Sequence, residues 1–296
     1  MTDVAMIGTG AIGGVIASWL DADRIPGHRL VGTLTRGRRG EKAVATLDDL
    51  LALAPSLVIE AASQEAARTY VPSVLAAGCD CLMLSVGAFS DHDFETRCRG
   101  LCASEGPRLL ISTGANGGID ALRAMHLGGG LQAVTLTSTV HAPRLAQPWM
   151  SARESQCLRD CEHDFIAFDG TAREAASQFP RLTNIGATIA LATLGLDAVT
   201  VKLIAGTRVN TKVHLVHAVS ATSELTLRLD NRVAPDNPHT SALTPMSVIR
   251  HLTDSASAIV VGVEGDTPDE GANESHGSRE ARRAPAHGRA RHPQTS

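Results

Sequence analysis

The chain has 296 residues, enough for two domains, with a net charge of −4, 43% hydrophobic and 20% charged residues. This composition excludes global disorder and the basic footprint of a general nucleic-acid binder, and no apolar run reaches membrane-spanning length. Aromatic residues are only 3% of the chain, so its core must be aliphatic.

The first seven residues (MTDVAMI) form a short apolar run. They read as a strand rather than as a basic-then-apolar signal segment, so a cytoplasmic protein is expected. The run opens into Gly8-Thr9-Gly10-Ala11-Ile12-Gly13-Gly14, a G-x-G-x-x-G placed between a strand and a helix. Gly8 permits the tight turn, Gly10 lets backbone approach a pyrophosphate, and Gly13 lets helix and strand pack closely. Ala11 and Ile12 start the helix, whose free N–H groups attract phosphate. The expected ligand is NAD or NADP.

A second strand is predicted over 29–34. An NAD-preferring fold carries an acid about 20 residues beyond the glycines to bind the ribose 2′-hydroxyl. Here residues 33–35 contain none, and Arg36, Arg38 and Arg39 follow. The arginines form either a solvated basic turn or a holder for a 2′-phosphate, which would admit NADP. A helix over 46–54 capped by Thr46 precedes a strand over 57–62, whose small Ala62 suits close approach of a nicotinamide ribose. Helices over 64–77 and 91–101 alternate with strands over 81–86 and 108–112, and Pro72 predicts a kink or break. A second glycine loop follows at 114–118. This alternation implies an α/β fold with a Rossmann-type doubly wound parallel sheet over residues 1–120.

The texture then changes to that of an α+β domain with a mainly antiparallel sheet, over 121–239. Residues 132–141 alternate as a half-buried antiparallel strand. Residues 144–161 read as irregular, 169–176 and 184–194 as helices, and 199–205, 213–220 and 224–229 as three antiparallel strands. A helix ending near Leu252 and capped by Thr240 or Ser241, with an apolar strand at 258–263, is expected to return to the first domain. Residues 264–296 lack large apolar side chains and are expected to be a disordered tail. The six cysteines (Cys79, Cys81, Cys98, Cys102, Cys157, Cys161) match no standard zinc spacing and read as free thiols, with no metal.

Several stretches, in order, resemble the NAD(P)-dependent L-aspartate dehydrogenase family: IGTGAIGG at 7–14, VIEAAS at 58–63, LSVGAFSD at 84–91, ISTGANGGIDAL at 111–122, FDGTAREAASQFPRLTNIGATIALA at 168–192 and NPHTSALTPMSVIRHL at 237–252. The resemblance implies oxidative deamination of L-aspartate to iminoaspartate, which yields oxaloacetate and ammonia or feeds NAD biosynthesis. It also implies a homodimer. By position it makes His214 the catalytic residue and Asn184 a cofactor-binding residue, and it places backbone cofactor contacts within Ala115, Gly117 and Gly118. A histidine base suits this chemistry near neutral pH. His217 lies an odd number of residues away and faces the other side of its strand. The chain departs from the family pattern at Val140, Gly206, Lys212 and Leu215, where Lys212 and His141 are candidates to restore positive charge. Two alternatives stay open: a dehydrogenase of another small acid, and an NAD(P)-binding homologue without turnover.

Overall fold

The computed structural model describes residues 1–261 apart from 38–39, 104–105, 208, 210 and 235–236. Arg38, Arg39 and the expected tail at 264–296 lie outside the described residues.

The first half is β1 (Thr2–Ile7), α1 (Ala11–Asp21), β2 (His28–Leu34), β3 (Ala43–Val44), α2 (Leu47–Leu51), β4 (Leu57–Glu60), α3 (Gln64–Ala76), β5 (Asp80–Met83), α4 (His92–Leu101) and β6 (Leu109–Ile111). The strands form one parallel sheet in the order β3-β2-β1-β4-β5-β6. The chain steps from β1 to β2 on one side and then to β4 on the other. The switch point where ligands bind in such sheets therefore lies beyond Ile7 and Glu60. Thr46 caps α2 as expected, in a reciprocal capping box with Asp49.

Pro72 does not end α3, which runs from Gln64 to Ala76. Its missing N–H removes one rung of the helix, but Val71, Pro72, Val74 and Leu75 are all buried. That packing outweighs a local helix penalty of about 3 kcal/mol.

The second half is α5 (Ile119–Leu127), β7 (Leu131–His141), α6 (Ala152–Arg159), β8 (Phe165–Thr171), α7 (Ala172–Gln178), α8 (Asn184–Ala192), β9 (Thr200–Gly206), β10 (Lys212–Ser220), β11 (Glu224–Asn231), β12 (Val233–Ala234), β13 (Asn237–Ser241) and α9 (Leu243–Asp254). The larger sheet runs β11-β10-β7-β9-β8. It is mixed: β7 is antiparallel to β10 and parallel to β9. The 199–205 strand is therefore separated from its two expected partners by β7.

Two elements differ from expectation. Residues 152–159 form α6, started by the reciprocal capping box of Ser151 and Glu154. Residues 165–171 form β8, and Thr171 caps α7, so that helix begins at Ala172. Ser241 Oγ accepts the N–H of Leu243 at 3.2 Å at the start of α9. Val248, Ile249 and Leu252 of α9 join Ile16, Ala17 and Leu20 of α1 in one buried cluster on the first sheet. No strand follows α9 within 255–261, and Ile259 and Val261 are exposed.

Arg173 of α7 ties the two halves together. Its guanidinium donates to the Phe89 carbonyl at 2.7 Å, to Glu95 at 3.1 Å and to Asp197 at 2.7 Å.

Candidate functional site

The glycine turn follows β1 directly. Gly8 has φ +91°, and a Cβ there would come within 2.7 Å of Ala62 Cβ. A Cβ on Gly13 would fall on the carbonyl of Gly8, so α1 can approach the turn only without one. A Cβ on Gly10 would meet nothing within 4 Å. That glycine faces open space, as a residue must that lets backbone approach a diphosphate. Gly10 caps α1 without a side-chain bond, and the first turn (Ala11, Ile12, Gly13) holds no acid. Its free N–H groups and partial positive charge thus meet no competing anion, and the residues present fit a dinucleotide.

Beyond β2 the ribose position holds Thr35, whose Oγ1 accepts from Thr9 Oγ1 at 3.0 Å. Arg36 is exposed and lines the cleft together with Ile12. At the end of β4, Glu60 is fully buried. Its carboxylate accepts the N–H of Ala62 at 2.8 Å and both the N–H (3.0 Å) and hydroxyl (2.8 Å) of Ser85. Burial pushes its pKa up, against the pull of these donors.

The cleft has a volume of about 670 Å³ and runs from the glycine turn to the second sheet. Ala62, Ser85, Ala115, Asn184, Lys212 and His214 all line it. Asn184 opens α8, and its Oδ1 accepts the N–H of Gly87 at 3.0 Å. Gln64, buried beside it, donates to the Pro180 carbonyl at 3.0 Å. A Cβ on Gly87 would overlap the Gln64 amide, so a larger residue here would have to displace that side chain.

His214 shares the buried face of β10 with Val216 and Ala218. It is 4% exposed, and its Nδ1 lies 2.8 Å from Ser138 Oγ of β7. Burial, then the charge of Lys212, lowers its pKa to about 4. Burial, then Arg144, lowers that of Lys212. His217 lies on the other face, 2.8 Å from Glu224 through Nε2.

Other residues fall outside the cleft. Gly117 and Gly118 sit against Leu227 and Leu225 of β11, and Gly118 takes a left-handed φ of +67° to start α5. In that loop the cleft is lined instead by Ser112, Thr113, Gly114 and Ala115. His141 is exposed at the end of β7 and does not line the cleft; Arg144, in the turn after it, is the group whose charge reaches Lys212. Leu215 faces away from His214, and Val140 is buried within β7. The second sheet thus keeps the chemistry-bearing face of β10 despite these departures.

Sequence reading missed Glu60, Gln64, Ser138 and Asn231. Only Glu60 carried a signal, as an acid ending an apolar strand. Among the described residues no group of three His, Cys, Asp or Glu can hold a metal ion, and all six cysteines are free.

A glycine turn at the switch point of a parallel sheet, open on the side where a diphosphate binds, defines a dinucleotide-binding oxidoreductase fold. Comparison with known families agrees: the NAD-binding domain of homoserine dehydrogenase matches residues 8–112, and the C-terminal domain of aspartate dehydrogenase matches 120–255. L-aspartate dehydrogenase from Archaeoglobus fulgidus is 34% identical over 259 residues, covering 87% of this chain and 99% of that protein. The Pseudomonas aeruginosa enzyme is 35% identical over 278 residues, covering 88% and 100%. The chain belongs to the L-aspartate dehydrogenase family. The crystal structure of aspartate dehydrogenase from Thermotoga maritima has the same fold, with a TM-score of 0.69 at 22% identity over 88% of this chain and 99% of that one.

The two glycines make different demands. Gly13→Ala is expected to lower unfolding stability by about 1–3 kcal/mol, since its Cβ meets backbone. Gly10→Ala is expected to unfold at the wild-type urea midpoint yet bind the nucleotide about tenfold more weakly, an affinity loss of about 1.4 kcal/mol. Urea titration and nucleotide fluorescence titration check the pair.

Proposed function

We propose that the chain catalyses the pyridine-nucleotide-dependent oxidative deamination of L-aspartate, with His214 as the base. The carrying observation is the placement of a buried imidazole in the cleft with one ring nitrogen engaged by Ser138. When Nδ1–H donates to Ser138 Oγ, Nε2 is left as the proton acceptor. The lowered pKa keeps the ring neutral near pH 7, the form that can take a proton. A substrate carboxylate near Lys212 offsets the like charge beside His214 and raises its basicity as substrate binds.

In this reading Gly8, Gly10, Ala11, Ile12 and Gly13 hold the diphosphate, and Ala62 and Ala115 flank the nicotinamide end. Asn184 acts by holding the Gly87 turn and Gln64 in place beside it. A bound nicotinamide supplies the hydride acceptor. His214 takes the proton from the substrate ammonium, which frees the nitrogen lone pair to form the C=N bond as hydride leaves Cα. Once that proton has passed to solvent, the neutral ring takes a proton from the water that adds to the C=N carbon, and the resulting carbinolamine collapses to oxaloacetate and ammonia; unhydrolysed iminoaspartate is also a precursor for NAD biosynthesis. NADP is accepted besides NAD, because the end of β2 offers Arg36 and no acid.

The six free thiols suit the reducing cytoplasm. A homodimer through the outer face of the second sheet fits its row of β-branched residues, half-buried at Val213, Thr139 and Ile204 and exposed at Ile166. Val213, Thr139, Ile204 and Ile166 align across four strands, beside Leu215.

Steady-state assays with aspartate and each nucleotide test the reading. His214→Ala should lose about 10²–10⁴-fold in kcat while binding nucleotide normally. Unchanged turnover would remove His214 from the chemistry. Arg36→Ala should lower kcat/KM for NADP about tenfold and leave NAD unaffected, since one charge-assisted bond is lost; equal effects on both would sink the 2′-phosphate role. Light scattering should give the mass of two chains, and a monomer mass would refute the dimer.

A further inference from the structure

Asn231 ends β11 and lines the cleft, yet only 6% of its surface is exposed. Its Nδ2 has no hydrogen-bond partner among the described residues. A buried donor left unpaired is costly unless a ligand accepts its protons.

The amide orientation is set from behind. Ser241 Oγ accepts the N–H of Leu243 at 3.2 Å, so its own proton is directed to Asn231 Oδ1, 3.0 Å away. The Asn231 carbonyl is therefore occupied, and only its N–H groups remain for the cleft. Lys212 is the residue opposite Asn231 in the β10–β11 ladder and lines the same cleft. Burial, then the charge of Arg144, lowers its pKa, and among the described residues no acid is a cause of the shift. The pair thus offers donors and no acceptor. Lys212 and His214 are two residues apart on one strand, so their side chains project on the same side about 7 Å apart. The lysine stem is long and flexible, so its ammonium can reach toward an anion held beside the ring of His214.

We propose that Asn231 Nδ2 and Lys212 Nζ together hold the distal carboxylate of a four-carbon dicarboxylate, and that Ser241 makes this subsite select carboxylate over carboxamide. This deepens the aspartate reading and rests on it. Asparagine could accept one donor through its amide oxygen, but its NH₂ would face the other, leaving that donor and its own protons without acceptors. Removing the Ser241 hydroxyl frees the Asn231 amide to turn and present its carbonyl.

The test uses the full chain with NADP present and succinate, a dicarboxylate that cannot react, as the calorimetric probe. Asn231→Leu should weaken succinate about tenfold or more, as expected for one lost bond to a charged group. Nucleotide affinity should stay unchanged. Ser241→Ala should raise the asparagine-to-aspartate ratio of kcat/KM about tenfold, because specificity resides in unpaired polar groups. Succinate that binds Asn231→Leu as it binds wild type, or that does not bind wild type, overturns the proposal. Wild type that binds succinate through Asn231 but does not oxidise aspartate supports the subsite and removes the aspartate reading instead.

Discussion

The Glu60 carboxylate holds the cleft's floor together. It stands at the end of β4, fully buried, and gathers the N–H of Ala62 with the N–H and hydroxyl of Ser85. Two neighbouring strand ends are thereby fixed to one anion. Burying this carboxyl is costly and raises its pKa, and the three donors offset that only in part. Ala62 in turn limits Gly8, since a Cβ at Gly8 would meet Ala62. Ser85 leads into Gly87, whose N–H reaches Asn184 across to α8. The position of the glycine turn and the position of the second domain's helix thus both trace to one interior charge.

The opposite wall works by like charge rather than by pairing. Lys212 depresses His214, and Arg144 depresses Lys212. Lys212 and His214 line the cleft, burial being the larger cause of both shifts, whereas Arg144 is exposed outside it. Arg173 keeps this wall in register with the first domain through bonds to Phe89 and Glu95.

The family departures at 140, 206, 212 and 215 have unequal weight once placed in space. Leu215 faces away from the base and Val140 is core, so neither alters the cleft. Lys212 does alter it, by bringing a cation beside His214.

Local rules determined much of this protein. The glycine turn, the alternation of strand and helix, the Thr46 cap and the alternating sides of His214 and His217 follow from backbone sterics and from periods of 2.0 and 3.6 residues, which act over a few residues. Those features were legible from residue order alone, and the resemblance added the identity of the base. Tertiary structure decided what depends on neighbours far along the chain. It carried α3 through Pro72 by burying that turn, placed β7 between β9 and β10, and set Gly117 and Gly118 against β11 rather than the cleft. It also brought Ser138 to His214 across 76 positions and Asn231 opposite Lys212. Burial and register are properties of the whole sheet, so no window of sequence contains them.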